Sequence, residues 1–209
     1  MSKSIVFMYS GQGSQYFHKA EELFENQPVF RKWMLELDNQ VKRLVGKSII
    51  ERIYDKSKGY HDIFDELTIT HPAIFMVEYS LSKVFMERGI YPDFVLGTSM
   101  GEFASLAVSE VLPVEEVLKC LLEQASIIEK HLTSDGGMLT VLGNPAIYYE
   151  DPIVHSNCEL AALNFDTHFV VAGKRANLQI ISEYLHKSGV SSISLPVRYA
   201  FHSSMIDKA

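Results

Sequence analysis

The sequence predicts the α/β class: a larger α/β part with a smaller α+β part set into it. Three observations lead there. A G-x-S-x-G pentapeptide, Gly97-Thr98-Ser99-Met100-Gly101, follows the apolar run Phe94-Val95-Leu96 and precedes helix-compatible residues from Phe103 to Val108, the pattern of a strand, a sharp turn and a helix. Three long helical patterns, opened near Pro28, Pro72 and Pro113, lie in the first 133 residues. After Gly136-Gly137 the texture changes to short strands and helices in the order β-α-β-β-α-β, the ferredoxin-like pattern.

In chain order, Ile5 to Tyr9 is a continuous apolar run of the kind a buried strand shows, and it ends in the glycine-containing loop Gly11-Gln12-Gly13-Ser14-Gln15. Pro28 opens a helix through Phe30, Trp33, Met34, Leu37, Val41 and Leu44, with Gly46 placed to cap its end. A second helix is expected from about Pro72 to Glu87, with Thr70 near its N-cap and Gly89 beyond its end. Pro113 opens a third, whose apolar side carries Val114, Val117, Leu118, Leu121, Leu122, Ile127 and Ile128. The smaller part follows as strands at Met138–Leu142, Leu160–Asn164, Phe169–Val171 and Ser192–Leu195, a helix at Ala176–His186 and a short helix around Pro145–Tyr149. The expected division is 1–133 with 197–209 for the larger part and 134–196 for the smaller.

With 209 residues, 47% of them hydrophobic, the chain can bury a substantial core. Its net charge of -7, without a long basic run interleaved with aromatics, argues against nucleic acid as a partner. Cys120 and Cys158 lie too far apart in sequence for a C-x-x-C redox or zinc pattern and read as buried free thiols. No His, Cys, Asp or Glu cluster has metal-ligand spacing. The run from Met1 to Tyr9 is too short for a signal peptide or membrane span, so the expectation is a cytoplasmic protein with no membrane partner; the oligomeric state is left open, with a monomer favoured.

The pentapeptide makes Ser99 a candidate nucleophile, with an ordinary turn as the alternative. A Cβ at Gly97 or Gly101 would crowd the neighbouring strand and helix of such a turn. A serine hydroxyl needs a base within hydrogen-bond reach, and histidine is the usual one. Among the eight histidines, His202 stands out, in Tyr199-Ala200-Phe201-His202-Ser203 just beyond the smaller part. From spacing alone a structural histidine remains open.

Four motifs occur in order: Gly11-Gln12-Gly13-Ser14-Gln15 after a first strand, Thr70-His71-Pro72-Ala73, Gly97-Thr98-Ser99-Met100-Gly101-Glu102 and Tyr199-Ala200-Phe201-His202-Ser203. In this the chain resembles the malonyl-CoA:acyl carrier protein transacylase family, which includes polyketide synthase acyltransferase domains, over essentially its whole length. It looks most like the freestanding acyltransferase and acyl hydrolase proteins of bacterial trans-acyltransferase polyketide pathways. The resemblance implies an α/β-hydrolase-like core with a parallel sheet and a nucleophile elbow, plus the ferredoxin-like subdomain. It implies that Ser99 attacks a thioester carbonyl, that His202 takes its proton, and that the Gln12 and Met100 backbone N–H groups form the oxyanion hole. The substrate is then an acyl-phosphopantetheine thioester on acyl carrier protein or CoA, with no tightly bound cofactor.

The chain departs from that family at one chemically sharp position. Where malonyl-loading members carry an arginine that pairs with the substrate carboxylate, this chain has Gln124. A desolvated carboxylate without a cation is costly, so the expected substrate moves toward uncharged acyl groups such as acetyl, with hydrolytic removal from carrier proteins as the expected activity. Tyr199 and Phe201 fall in the tetrapeptide associated with substrate choice, and His71 replaces the glutamine common in its motif; His71 reads as a pocket-edge residue or as a polar helix-start residue. Two alternatives stand: a malonyl transacylase in which Arg198 or a water network replaces the missing cation, and a non-catalytic carrier-protein-binding or truncated homologue, since family members continue well past the position of His202.

Overall fold

In a computed structural model, which describes residues 3–209, strand β1 (Val6–Tyr9) and strand β2 (Phe94–Gly97) pair in parallel, with Val6 opposite Phe94 and Tyr9 opposite Gly97. Met1 and Ser2, at the start of the expected larger part, lie outside the described residues. The chain divides into two compact units, one ending at Ser126 and the other spanning Ile127–Ala209.

In the first unit, β1 is followed by helices α1 (Glu21–Asn26), α2 (Pro28–Val45), α3 (Ile49–Ile53) and α4 (Leu67–Glu87), then by β2, α5 (Gly101–Val108) and α6 (Val114–His131), within which the division falls. Helix α2 forms as its sequence requires. Gln27 caps its start, its Oε1 accepting from the backbone of Val29 and Phe30 at 2.7 and 3.1 Å, and Gly46 ends it at φ 71°. Its buried stripe Phe30, Met34, Leu37 and Val41 joins Ile74, Phe75 and Met76 of α4 in one core. Each such side chain, fully buried, contributes about 1.5–3 kcal/mol.

Three features differ from the sequence expectation. Helix α4 starts at Leu67, not near Pro72, and its N-cap position is held by Glu66, without a side-chain capping bond, instead of Thr70. Burial of Leu67 and Ile69 holds that extra turn, while Pro72 inside the helix forgoes one N–H bond to the carbonyl four residues back. Strand β1 is not buried on both faces: Tyr9 is buried and Phe7 half-buried, its ring 5.8 Å from that of Phe85 on α4, but Met8, which points to the other face, is 73% exposed. Cys120 is exposed, since Val117, Leu118, Leu121, Leu122 and Ala125 take the inward face of α6; Cys158 is half-buried, and desolvation pushes its thiol up to about 12.

The second unit contains β3 (Gly136–Leu142), α7 (Ala146–Glu150), α8 (Pro152–His155), β4 (Glu159–Phe165), β5 (His168–Lys174), α9 (Arg175–Lys187) and β6 (Ser191–Ser194). Its antiparallel sheet has the order β4-β5-β3-β6, which is the ferredoxin-like arrangement. Leu139 and Val141 of β3 and Phe169 and Val171 of β5 alternate inward against Leu178, Ile181 and Leu185 of α9. The segment 197–209 makes contacts within this unit. Arg175 Nη2 reaches the Val197 carbonyl at 3.4 Å, the Ser204 N–H donates to Glu159 at 2.8 Å, and a Cβ on Gly136 would meet the Ala200 nitrogen at 2.5 Å.

Candidate active site

Ser99 sits on the sharp turn between β2 and α5, exposed and at φ 55°. For a serine that left-handed backbone costs about 1–3 kcal/mol, and surrounding contacts hold it. The Thr98 N–H donates to the Tyr9 carbonyl at 3.0 Å, and the N–H groups of Gly101 and Glu102 turn back onto the Thr98 and Ser99 carbonyls at 2.9 and 3.1 Å. Both flanking glycines are sterically required. A Cβ on Gly97 would lie 2.4 Å from the Glu102 nitrogen, and one on Gly101 would lie 2.5 Å from the Tyr9 carbonyl oxygen. Met100 occupies the N-cap of α5 with its side chain buried. Its backbone N–H therefore belongs to the helix end whose donors have no intrahelical acceptor and which carries the positive end of the dipole.

The loop after β1 lies against this turn, as the close approach of Gly11 to Thr98 and Ser99 demonstrates. Gln12, half-buried, does not spend its side chain on loop backbone: Nε2 donates to Thr70 Oγ1 on α4 at 3.2 Å. Gln15 braces the same loop, accepting from the Gly13 N–H at 2.7 Å and donating to the Phe64 carbonyl at 3.1 Å. His71 is 2% exposed within α4, and burial pushes its imidazole down to about 4, so it is neutral near pH 7.

Sequence reasoning missed Ser10 and Glu78. The N–H and the hydroxyl of Ser10 both donate to Glu78 Oε1 at 2.7 Å. Burial holds the Glu78 carboxyl above its ordinary value, opposed by the Ser10 bonds and by the nearby Lys19 charge. The signal was available as a single acid inside the apolar run Phe75-Met76-Val77-Glu78-Tyr79.

Gln124 lies on α6 in the first unit and is exposed. The remaining sequence-predicted residues belong to the second unit. Tyr199 is buried with its ring 5.9 Å from that of Phe201 at 61°, Arg198 is exposed, and His202 is exposed at φ 59° just before a short 3-10 turn at Ser204–Ile206. The Ser203 hydroxyl donates to the Ala200 carbonyl at 2.7 Å and accepts from the Met205 N–H at 3.3 Å, which fixes the bend carrying His202. Ser99, Met100, Gln12 and Thr70 thus form one cluster, and Tyr199, Phe201 and His202 another. Among the described residues no helix is long and apolar enough to cross a membrane, and no group of three or more His, Cys, Asp or Glu could hold a metal ion.

Comparison with known proteins places this arrangement. Polyketide biosynthesis acyltransferase homolog PksD of Bacillus subtilis (strain 168) is 49% identical over 209 residues, covering all of this chain and 64% of PksD. Homolog BaeD of Bacillus velezensis (strain DSM 23117 / BGSC 10A6 / LMG 26770 / FZB42) is 44% identical with the same coverage. The chain therefore spans less than two thirds of the length of these relatives. The crystal structure of the acyltransferase domain from the second module of the salinomycin polyketide synthase superposes with a TM-score of 0.83 at 27% identity, over 99% of this chain and 48% of that one. Its fold class is accordingly an α/β-hydrolase-like core with a ferredoxin-like subdomain. Residues 6–209 match the family described as the acyl transferase domain, and with its glycine-flanked serine elbow and ferredoxin-like sheet the chain belongs to that family.

Proposed function

We propose that this chain acts as a serine enzyme that removes uncharged acyl groups, such as acetyl, from the phosphopantetheine thioesters of acyl carrier proteins or CoA in polyketide biosynthesis. The observation that carries the reading is Ser99, exposed and strained between two glycines at the start of α5. The Ser99 Oγ attacks the thioester carbonyl while His202 accepts its proton, and the tetrahedral oxyanion takes hydrogen bonds from the Gln12 and Met100 N–H groups. Collapse breaks the C–S bond, and the leaving thiol takes the proton from His202. Water then attacks the Ser99 ester, His202 removing its proton and returning it to Oγ, and a carboxylic acid departs. Gln124 supports an acyl group without a free carboxylate, and Tyr199, Phe201 and His71 shape its surroundings. No tightly bound cofactor takes part, and the protein works as a cytoplasmic monomer with an acyl carrier protein as its partner.

Incubation with acetyl- and malonyl-loaded carrier protein, followed by intact mass, tests this. Acetyl should be lost faster than malonyl, with Ser99→Ala abolishing the loss. Faster processing of malonyl would overturn the substrate assignment.

A further inference from the structure

Helix α4 grips the end of β1 and the loop after it at three points along a single row of residues spaced four apart. Ser82 Oγ lies 3.0 Å from the Tyr9 hydroxyl, Glu78 Oε1 accepts both donors of Ser10, and Thr70 Oγ1 accepts from Gln12, with buried Ile74 completing the row. Running down this row from Ser82 to Thr70 follows the chain upward from Tyr9 to Gln12. We propose that Glu78 is a positioning residue that fixes the Ser10–Gly13 loop and thereby aims the Gln12 backbone N–H at the oxyanion formed on Ser99; the proposal rests on the acyl-transfer reading given above.

The energetics favour a role beyond packing. Glu78 stands in an apolar helix, and its Oε2 is a buried carboxylate oxygen without a hydrogen-bond partner among the described residues. Such a half-satisfied acid is a poor way to stabilise a core. What it supplies is two short bonds to one residue, and that residue is placed where small displacements count. The Ser10 carbonyl oxygen would be 2.8 Å from a Cβ on Gly101, the first residue of α5, so Ser10 is pressed against the elbow. Between Ser10 and Gln12 stands Gly11, which, lacking a Cβ, puts the weakest intrinsic restriction on its own φ and ψ. Rotation there would turn the Gln12 N–H away. Anchoring Ser10 on one side through Glu78 and the Gln12 side chain on the other through Thr70 removes that freedom. The hydroxyls of Ser10 and Ser14 lie 2.9 Å apart, and Lys19 donates to the Ser14 carbonyl at 2.8 Å, which ties the rest of the loop to the same network.

Two variants separate this role from a merely structural one. Glu78→Gln keeps an oxygen that accepts from Ser10, whereas Glu78→Ala does not. Labelling of Ser99 by a fluorophosphonate, whose phosphoryl oxygen occupies the oxyanion position, is followed by intact mass, and exchange of the Ser10–Gly13 amides by NMR. The expected result is labelling about ten- to hundredfold slower in Glu78→Ala, at a temperature where that variant is folded, with Glu78→Gln close to wild type and amide exchange faster in the alanine variant alone. Wild-type labelling rates in a folded Glu78→Ala, or equal loss in both variants, would overturn the proposal and leave the acyl-transfer reading standing. A wild-type protein that does not label at all would sink that reading and, with it, the oxyanion role of Glu78.

Discussion

Gly11 and Ser99 touch across two different loops: a Cβ on Gly11 would stand 3.2 Å from the Ser99 Cβ and 2.8 Å from the Thr98 carbonyl oxygen. The contact follows from the sheet. Because β1 and β2 run parallel with Tyr9 opposite Gly97, the loops leaving both strands emerge at the same edge, where α/β proteins place their ligands. Glycine at position 11 is what allows them to meet.

Gly11→Ala should therefore be costly in a way that an average glycine substitution is not. The added methyl meets backbone, which cannot swing aside, and the expected loss is about 1–3 kcal/mol of unfolding free energy in urea, together with slower labelling of Ser99. Gly59→Ala is the control, since a Cβ there meets open space at an ordinary backbone angle. Equal effects of the two substitutions would show that the loops do not press together.

Asp38 predicts a second large loss, far from the elbow. It is a buried acid on α2 whose Oδ1 accepts from the N–H groups of Ile49 and Ile50 at 2.6 and 3.1 Å, and whose Oδ2 accepts from the Ser48 hydroxyl at 2.9 Å. It thus satisfies the start of α3, a helix too short to stand alone. Asp38→Ala leaves these donors without an acceptor and should lower unfolding free energy by about 2–3 kcal/mol, measured by urea titration, with Ser99 labelling unchanged.

How much of this could be read from the sequence depended on range. The elbow was legible because its requirements are local: a strand, two glycines and a helix all between Phe94 and Val108. The ferredoxin-like order was legible because each element carried its own period. Helices α1 and α3 were not anticipated, being too short to show a full apolar period. Pro72 misled because proline commonly opens helices, and only the tertiary burial of Leu67 and Ile69 carries α4 past it. Glu78 was visible as an odd acid in an apolar run, yet its partner Ser10 lies 68 positions away, and no local pattern connects them.

His71 makes stability depend on pH in a definite window. Burial lowers its folded value from 6.5 to about 4, so as pH falls below the unfolded value the unfolded chain takes up a proton that the folded chain refuses. The unfolded state binds more protons between those two values, and stability falls there by up to about 3 kcal/mol; above the unfolded value the residue contributes no slope. Glu78, raised by burial, acts in the opposite sense, since its folded carboxyl takes up a proton at higher pH than its unfolded one. The clean measurement is thus a difference. Relative to wild type, His71→Gln should gain unfolding free energy as pH is lowered from about 7.5 to about 4.5. A difference that stays constant would mean that the imidazole can be charged inside the fold.

Gln124 offers a test of substrate choice that leaves the core alone. It points outward on α6, where Val117, Leu118, Leu121 and Ala125 provide the packing, so Gln124→Arg should leave the urea midpoint within error of wild type. A guanidinium there offers a malonyl carboxylate two parallel hydrogen bonds that glutamine cannot match and that an acetyl group cannot use. The ratio of malonyl to acetyl processing, measured as kcat/KM with loaded carrier protein, should rise by about tenfold or more, an effect of about 1.4 kcal/mol in the transition state. Gln124→Lys should raise it less, because an ammonium pairs as a point charge, and Gln124→Ala should not raise it at all. If arginine and alanine shift the ratio alike, the side chain at 124 does not meet the acyl group, and the proposed preference for uncharged acyl chains loses its basis.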